Sequence, residues 1–241
     1  AILDNLETAD FFNKPAFNDR GKLTLGAIGR AISGRHYLGQ QRALNDRIRE
    51  VIAPEEFAQY QLNDDQPICL VGSVDRITGT RYYFNLKEVD YETMIKAIAA
   101  SAAIPIFTEG IFLEWQGQSL HLYDGGIRDH CPTGWVLTDS PYAEQITETV
   151  SLYSRPQDYV LKNKTQDPGN VLGVLQDYVD ISNVEVSKMD EQLEDLICKK
   201  RNIPQRKYFL PSIMQNVYDT DPTRLRQLYE AGRKVVLSPM A

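Results

Sequence analysis

The chain has 241 residues, of which 42% are hydrophobic and 24% charged, and its formal net charge at pH 7 is -7. These values are typical of a globular protein with a substantial core. With 33 acidic and 26 basic residues, the chain has no basic excess to neutralise phosphates, which argues against nucleic acid as a partner.

The first part of the chain predicts irregular structure followed by a helix. Residues 1–36 combine scattered aromatic anchors with frequent glycines, which favours loops and one or two short helical turns. From Gln40 to Val51 apolar residues recur at helical spacing, and Pro54 is predicted to end that helix.

The middle of the chain predicts a small sheet and a helix. Residues 67–74 are a short apolar run typical of a buried strand, and residues 81–86 are predicted to form the return strand. Residues 91–100 have a helical apolar face. Two alternating segments, 111–115 and 119–123, flank a Gln-Gly-Gln turn and predict a hairpin.

The last part predicts one more strand and then helices. Residues 146–153 alternate as a strand does, and the apolar stripes after Pro156 indicate a long helix or a helix pair. Asp221 and Pro222 are typical of the start of a final helix. The order of these elements predicts an α/β fold.

Asp124 is the first candidate for chemistry. It follows the apolar end of a predicted strand, where open α/β sheets place their sites. Gly125 and Gly126 allow positive φ and a close approach of the backbone to a second chain segment. Asp-Gly is also a common turn dipeptide, so a plain turn is the alternative.

Two segments together resemble the patatin-like phospholipase family. They are Ser101-Ala102-Ala103-Ile104-Pro105 and Tyr123-Asp124-Gly125-Gly126, and Ile68 to Asp75 followed by Thr78-Gly79 is similar to the family's central strand and turn. The resemblance extends from about residue 36 to residue 236. It implies a three-layer α/β domain with a central sheet flanked by helices and a helical C-terminal part. We expect one domain over 1–241, with 1–36 irregular, 37–153 the sheet core and 154–241 mainly helical.

The resemblance also implies a lipid acyl hydrolase of the phospholipase A type. In the family a serine on a Gly-x-Ser-x-Gly turn attacks the ester and the aspartate of Asp-Gly-Gly accepts its proton. Asp124 would be that base, and Gly125 and Gly126 would shape its turn. The implied partners are a lipid or phospholipid substrate and a transient membrane surface, with no cofactor and no metal.

The nucleophile is the main departure from the family pattern. No Gly-x-Ser-x-Gly occurs in the 241 residues. We therefore expect the domain to be incomplete at its N-terminus, with the serine on an upstream segment or a separate chain. One alternative is a non-catalytic binding or structural module of the same fold. Another is an unrelated α/β hydrolase that uses Ser101 or Ser73.

The histidines and cysteines carry less information. His36 and His121 are expected at the surface, and His130 replaces an asparagine usual in the family. Their dispersed spacing is not that of a metal site.

Three distant cysteines favour buried free thiols in a reducing, cytoplasmic location, peripheral to a membrane if lipid is the substrate; they are Cys69, Cys131 and Cys198. No predicted segment is long and apolar enough to span a bilayer, and the first twenty residues lack a signal-peptide core.

Overall fold

The computed structural model describes residues 12–16, 23–153, 171–209 and 222–237. They fall into two compact units, residues 1–125 and 126–241. Each unit has its own sheet. The prediction of a single domain stays a prediction.

The first unit is organised by a four-stranded antiparallel sheet in the order β2-β1-β4-β3. The strands confirm the predicted strand pair and hairpin; they are β1 (Leu70–Asp75), β2 (Arg81–Asn85), β3 (Ile111–Trp115) and β4 (Gln118–Asp124). The hairpin turns at Gln116 and Gly117, whose φ angles are 49° and 77°. Positive φ at both turn residues matches the twist of the two strands.

A predicted helix covers one face of this sheet. Helix α4 (Tyr91–Ser101) begins at Asp90, whose carboxylate accepts a hydrogen bond from the Thr93 N–H over 2.9 Å. It packs across β1, β3 and β4. Its buried residues join those of the strands in one core; among them are Met94, Ile95, Ala99, Phe84, Leu113, Leu120 and Leu122.

Three further helices precede the sheet in sequence: α1 (Leu25–Ile32), α2 (Arg42–Val51) and α3 (Pro54–Leu62). Helix α2 confirms its prediction. Helix α1 is longer than the short turns expected before residue 37. Helix α3 was not predicted, because Pro54 was interpreted only as the end of α2. Pro54 instead occupies the first position of α3, where its missing N–H costs nothing.

The second unit is mainly helical around a two-stranded sheet. Its helices are α5 (Thr133–Thr138), α6 (Val171–Arg201) and α7 (Pro222–Leu237), and its strands β5 (Thr149–Tyr153) and β6 (Gln205–Phe209) are parallel. The stripes at 171–197 belong to one helix of 31 residues. Pro222 begins α7 as predicted, whereas Asp221 lies outside the described residues.

The polarity of β5 is inverted relative to an ordinary strand. Thr149, Ser151 and Tyr153 are buried, while Val150 and Leu152 are 52% and 66% exposed. All three buried residues carry hydroxyl groups. Their common partner is a buried carboxylate on α6, described below.

The predicted class is confirmed: the chain is of mixed α/β composition with a central sheet flanked by helices. No described helix combines the length and the apolar character that crossing a bilayer requires. The expectation of buried thiols holds for Cys198 alone, because Cys69 is exposed and Cys131 is partly exposed.

Candidate functional site

Asp124 is the last residue of β4, and its side chain is partly buried. Its backbone N–H donates to the carbonyl of Ala103 over 2.9 Å. The two sequence segments that suggested the site therefore meet at this hydrogen bond. Asp124 lies at the carboxyl end of its strand, as the sequence predicted.

The segment that receives this hydrogen bond is tightly packed. Ser101 ends α4, and Ala99, Ala100 and Ala103 are fully buried. Small side chains at these positions allow the helix end to lie close to β4. Ile106 follows with a φ of 72°, an uncommon conformation for a β-branched residue. The backbone beside Asp124 is thus fixed by packing.

Gly125 is required by a close approach of two backbone segments. A Cβ atom at this position would lie 2.9 Å from the backbone carbon and oxygen of Gly72 and 3.2 Å from the nitrogen of Ser73. Neither Gly125 nor Gly126 has a positive φ. Of the two reasons suggested for glycine here, close approach applies to Gly125 and the left-handed conformation does not.

Ser73 of β1 lies directly opposite Asp124 in the antiparallel pairing. Its side chain is 1% exposed, and no hydrogen-bond partner contacts its Oγ among the described residues. Such burial leaves no path for a substrate to this hydroxyl. Ser101 is partly buried at the end of α4. Neither serine sits on a strained strand-to-helix turn of the kind that presents a nucleophile.

Asp75, the last residue of β1, carries a buried carboxylate with 2% exposure and lies opposite Leu122 of β4. Its Oδ1 accepts from the His121 N–H at 3.0 Å, and its Oδ2 accepts from the N–H and hydroxyl of Thr78 at 2.9 and 2.8 Å. Burial raises the pKa of Asp75, but these hydrogen bonds outweigh it and lower the pKa below 3.8. Asp75 therefore fixes the turn after β1 against β4.

The prediction that His121 faces solvent is wrong. Its side chain is 4% exposed, its ring stacks on Phe112 at 4.1 Å, and its Nε2 lies 3.1 Å from the carbonyl oxygen of Glu109. Alternation along β4 places His121 on the sheet face that points away from α4. The aromatic neighbours Phe112 and Tyr123 cover His121 on that face. His36 is exposed, with its ring 6.5 Å from that of His121.

The segment after Asp-Gly-Gly is held by a residue that the sequence did not reveal. The Asp190 carboxylate on α6 accepts the backbone N–H of His130 at 2.6 Å and that of Cys131 at 3.1 Å. Burial raises the pKa of Asp190 despite these two hydrogen bonds. The backbone at residues 130 and 131 is thus fixed against α6. Asp190 lies 60 residues away in sequence, and no local pattern could indicate the contact.

Glu194 was also missed. It is fully buried, and it accepts hydrogen bonds from Thr149 Oγ1, Ser151 Oγ and Tyr153 Oη at 3.2, 2.6 and 2.8 Å. Burial is the main cause of the raised pKa of Tyr153, and the hydrogen bond from Tyr153 to Glu194 raises it further. Three donors satisfy this buried carboxylate, and they explain the inverted polarity of β5.

Acidic, histidine and cysteine side chains do not converge on a metal-binding cluster anywhere in the described ranges. The aromatic side chains of the first sheet differ in burial. Phe84 is in the core with Trp115 against it at 5.3 Å, whereas Phe112 is 64% exposed. Phe84 and Trp115 therefore serve core packing.

In a comparison with protein families, residues 1–136 match the model described as patatin-like phospholipase. The matched region includes the Ser101–Pro105 segment and the Asp-Gly-Gly motif. No curated protein and no solved structure matches the chain.

Proposed function

Because the chain belongs to the patatin-like phospholipase family, we propose that it is part of a lipid acyl hydrolase in which Asp124 is the general base of a Ser–Asp dyad. The substrate class is a phospholipid or related ester. The proposal rests mainly on the joining of two motifs: the Asp124 N–H binds the Ala103 carbonyl beside the close approach of Gly125 to β1.

The geometry around Asp124 suits a positioned base. A base must hold a fixed orientation so that it meets the proton of the nucleophile within hydrogen-bond distance. Asp124 is anchored by its own backbone N–H, and Gly125 packs directly on Gly72. The side chain is partly buried, so an approaching hydroxyl can reach it.

In the proposed reaction the Asp124 carboxylate accepts the proton of the serine hydroxyl. The serine oxygen attacks the ester carbonyl, and the alcohol leaves with that proton. Water then hydrolyses the acyl-enzyme and regenerates the serine. A base of this kind contributes typically about 10²–10⁴ in rate. We propose no cofactor and no metal for these steps.

We propose that the nucleophile lies on a segment other than residues 1–241, because Gly-x-Ser-x-Gly is absent from them. The burial of Ser73 argues against that residue as an alternative. The three free thiols favour a reducing, cytoplasmic location for the protein. We also propose that residues 1–241 contribute to a single domain.

A non-catalytic module of the same fold is the second candidate. The absence of the nucleophile motif from these residues favours it. Fluorophosphonate labelling of the full-length protein, with the labelled peptide identified by mass spectrometry, separates the candidates. We expect a label on a serine outside residues 1–241. A label on Ser101 or Ser73 would replace the proposed nucleophile, and no label would favour the non-catalytic module.

The role of Asp124 is tested by Asp124→Asn in the full-length protein. We expect normal folding and a loss of ester hydrolysis of at least about 10²-fold, because asparagine cannot accept the proton. Asp64→Asn is the matched control, since Asp64 is exposed. It should leave hydrolysis unchanged. Retention of activity by the folded Asp124→Asn protein would exclude the dyad.

A further inference from the structure

Helix α1 presents a fully apolar face to solvent. Leu25 is 87% exposed, Ile28 41% and Ile32 82%. At 100° per residue these three positions fall within about 60° of one another, so they form one stripe along the helix. We call this stripe the α1 apolar face.

The opposite side of α1 is fixed to the rest of its unit. Ala27 is fully buried, and Thr24 caps the helix through its hydroxyl, which accepts from the Ala27 N–H and donates to the Pro15 carbonyl, each over 3.1 Å. The Arg30 guanidinium donates to the carbonyls of Leu38 and Pro15. The apolar face therefore points outward from an anchored helix.

Along the sequence the charged residues around α1 are all basic, and in space the Glu109 carboxylate contacts Gln40 and Arg42. Residues 23–42 contain Arg30, Arg35 and Arg42 and no acidic residue, although the whole chain has 33 acidic and 26 basic residues. Arg42 pairs with Glu109, whereas Arg35 is exposed. Lys14, also exposed, is brought beside this segment by its backbone bridge to Gln40.

This combination fits an anionic lipid surface better than a protein. A stable protein interface buries about 800 Å² on each partner, more than three aliphatic side chains supply. An apolar helix face flanked by basic residues is, in contrast, the pattern of helices that lie in the membrane interface. We propose that the α1 apolar face docks this protein on anionic phospholipid membranes.

The exposed stripe on α6 differs in charge. Met189 and Leu196 are 65% and 67% exposed, but Glu185, Glu191 and Asp195 lie in the same stretch of helix. Glu185 pairs with Lys188, and Glu191 and Asp195 pair with Lys207. Residues 185–196 nevertheless contain five acidic residues and one lysine, so an anionic surface would repel this stretch. The basic surroundings therefore distinguish α1 as the docking element.

The inference deepens the proposed function, because it names the surface on which the enzyme would meet its substrate. It can still fail separately if binding is measured on vesicles of diether phospholipids, which contain no ester to hydrolyse. Wild-type protein should sediment with diether phosphatidylcholine vesicles that contain diether phosphatidylserine. It should sediment less without phosphatidylserine or at high salt.

The double variant Leu25→Ser/Ile32→Ser should lower the vesicle affinity at least about tenfold, because two inserted side chains are lost. Arg35→Glu should lower it severalfold on anionic vesicles only. Leu62→Ser is the matched control: Leu62 is 84% exposed at the end of α3, next to Asp64 and Asp65, and its loss should leave binding unchanged. Circular dichroism should show equal folding in all variants.

Several results would overturn the proposal. They are an absence of wild-type binding to both vesicle types, equal binding by the double variant, and an equal loss in Leu62→Ser. A concentration-dependent dimer that the double variant abolishes would assign the face to a second copy of the chain. Loss of ester hydrolysis in Asp124→Asn with unchanged vesicle binding would separate docking from catalysis.

Discussion

The absence of a side chain at Gly125 is what allows the turn at Asp124 to form. The space that a Cβ would need is occupied by the backbone of Gly72, which cannot rotate away as a side chain could. Any larger residue must push β1 and β4 apart near Asp124. The requirement comes from packing between distant segments of the chain.

Gly125→Ala should destabilise the protein by about 1–3 kcal/mol, the usual cost of overpacking. Urea unfolding measures the effect. Gly29→Ala is the control, since nothing lies within 4 Å of a Cβ there. In mid-helix that change should add up to about 1 kcal/mol of stability. Equal stability of Gly125→Ala and wild type would contradict the close approach.

Asp75→Asn tests the buried carboxylate of the β1 turn. At pH 7 we expect a loss of about 1–3 kcal/mol, because the amide group faces at least one N–H donor. The pKa of Asp75 is lowered in the folded state, so its stabilising contribution is present above the unfolded value and is lost as the pH falls through the folded value.

The stability difference between wild type and Asp75→Asn should therefore shrink below about pH 4. Urea titrations from pH 7 to acid measure it, with the exposed Asp64→Asn as the control. A constant difference over that range would show that the charge of Asp75 is not involved.

At the residue scale the sequence predicted the position of Asp124 at the end of a strand, but not the burial of His121. Asp124 is marked by local neighbours, a strand before it and two glycines after it. The burial of His121 depends on Phe112 across the hairpin and on what covers that sheet face. The alternation within one strand predicts two faces, but it does not predict which of them is exposed to solvent.

At the scale of elements, β5 and α6 are held together by polar contacts. Glu194 accepts from three hydroxyls in β5, so the strand is fixed against the helix by hydrogen bonds where apolar packing would be usual. Such an arrangement specifies register, because a shift of one residue would bring Val150 and Leu152 to the carboxylate.

Glu194→Ala should cost about 2–4 kcal/mol, since it removes the acceptor that three buried hydroxyls share. Hydrogen exchange of the β5 amides and urea unfolding measure the loss. Glu185→Ala on the same helix is the control. Its pair with Lys188 is exposed, at 61% and 44%, and is worth under about 1 kcal/mol. Equal effects of the two variants would contradict the role of Glu194.

Most elements of the first unit were predictable, whereas β6 was not. The hairpin carries a turn signal and alternation, and α4 carries an apolar face. Strand β6 reads Gln-Arg-Lys-Tyr-Phe and has neither. It becomes a strand by pairing in parallel with β5, more than fifty residues earlier in the chain. Parallel pairing leaves no local signal.

At the scale of the whole molecule, the order of strands and helices was enough to predict the α/β class. The boundary between the compact units after Gly125 was not predictable, because no proline-rich or polar linker marks it. The cysteines are distributed over both units, Cys69 in the first and Cys198 in the second. They provide separate probes of each.

At pH 8 without denaturant, Cys69 should react with a thiol reagent well before Cys198. Burial raises the pKa of both thiols, so the difference comes from access: Cys69 is exposed, whereas Cys198 is 1% exposed. Mass spectrometry of labelled peptides measures both rates, and Cys69→Ser should remove the fast labelling at position 69 and leave the rate at Cys198 unchanged. Fast native labelling of Cys198 would contradict its burial.

The β3–β4 hairpin places its turn and Asp124 at opposite ends of β4. Asp124 lies at one end of β4, and the Gln116-Gly117 turn lies beyond the other, about 20 Å away at the rise of an antiparallel strand. A fluorophore attached at position 116 would therefore report from a distance without touching Asp124, the proposed base. The turn thus offers a site for optical sensors of ligand arrival.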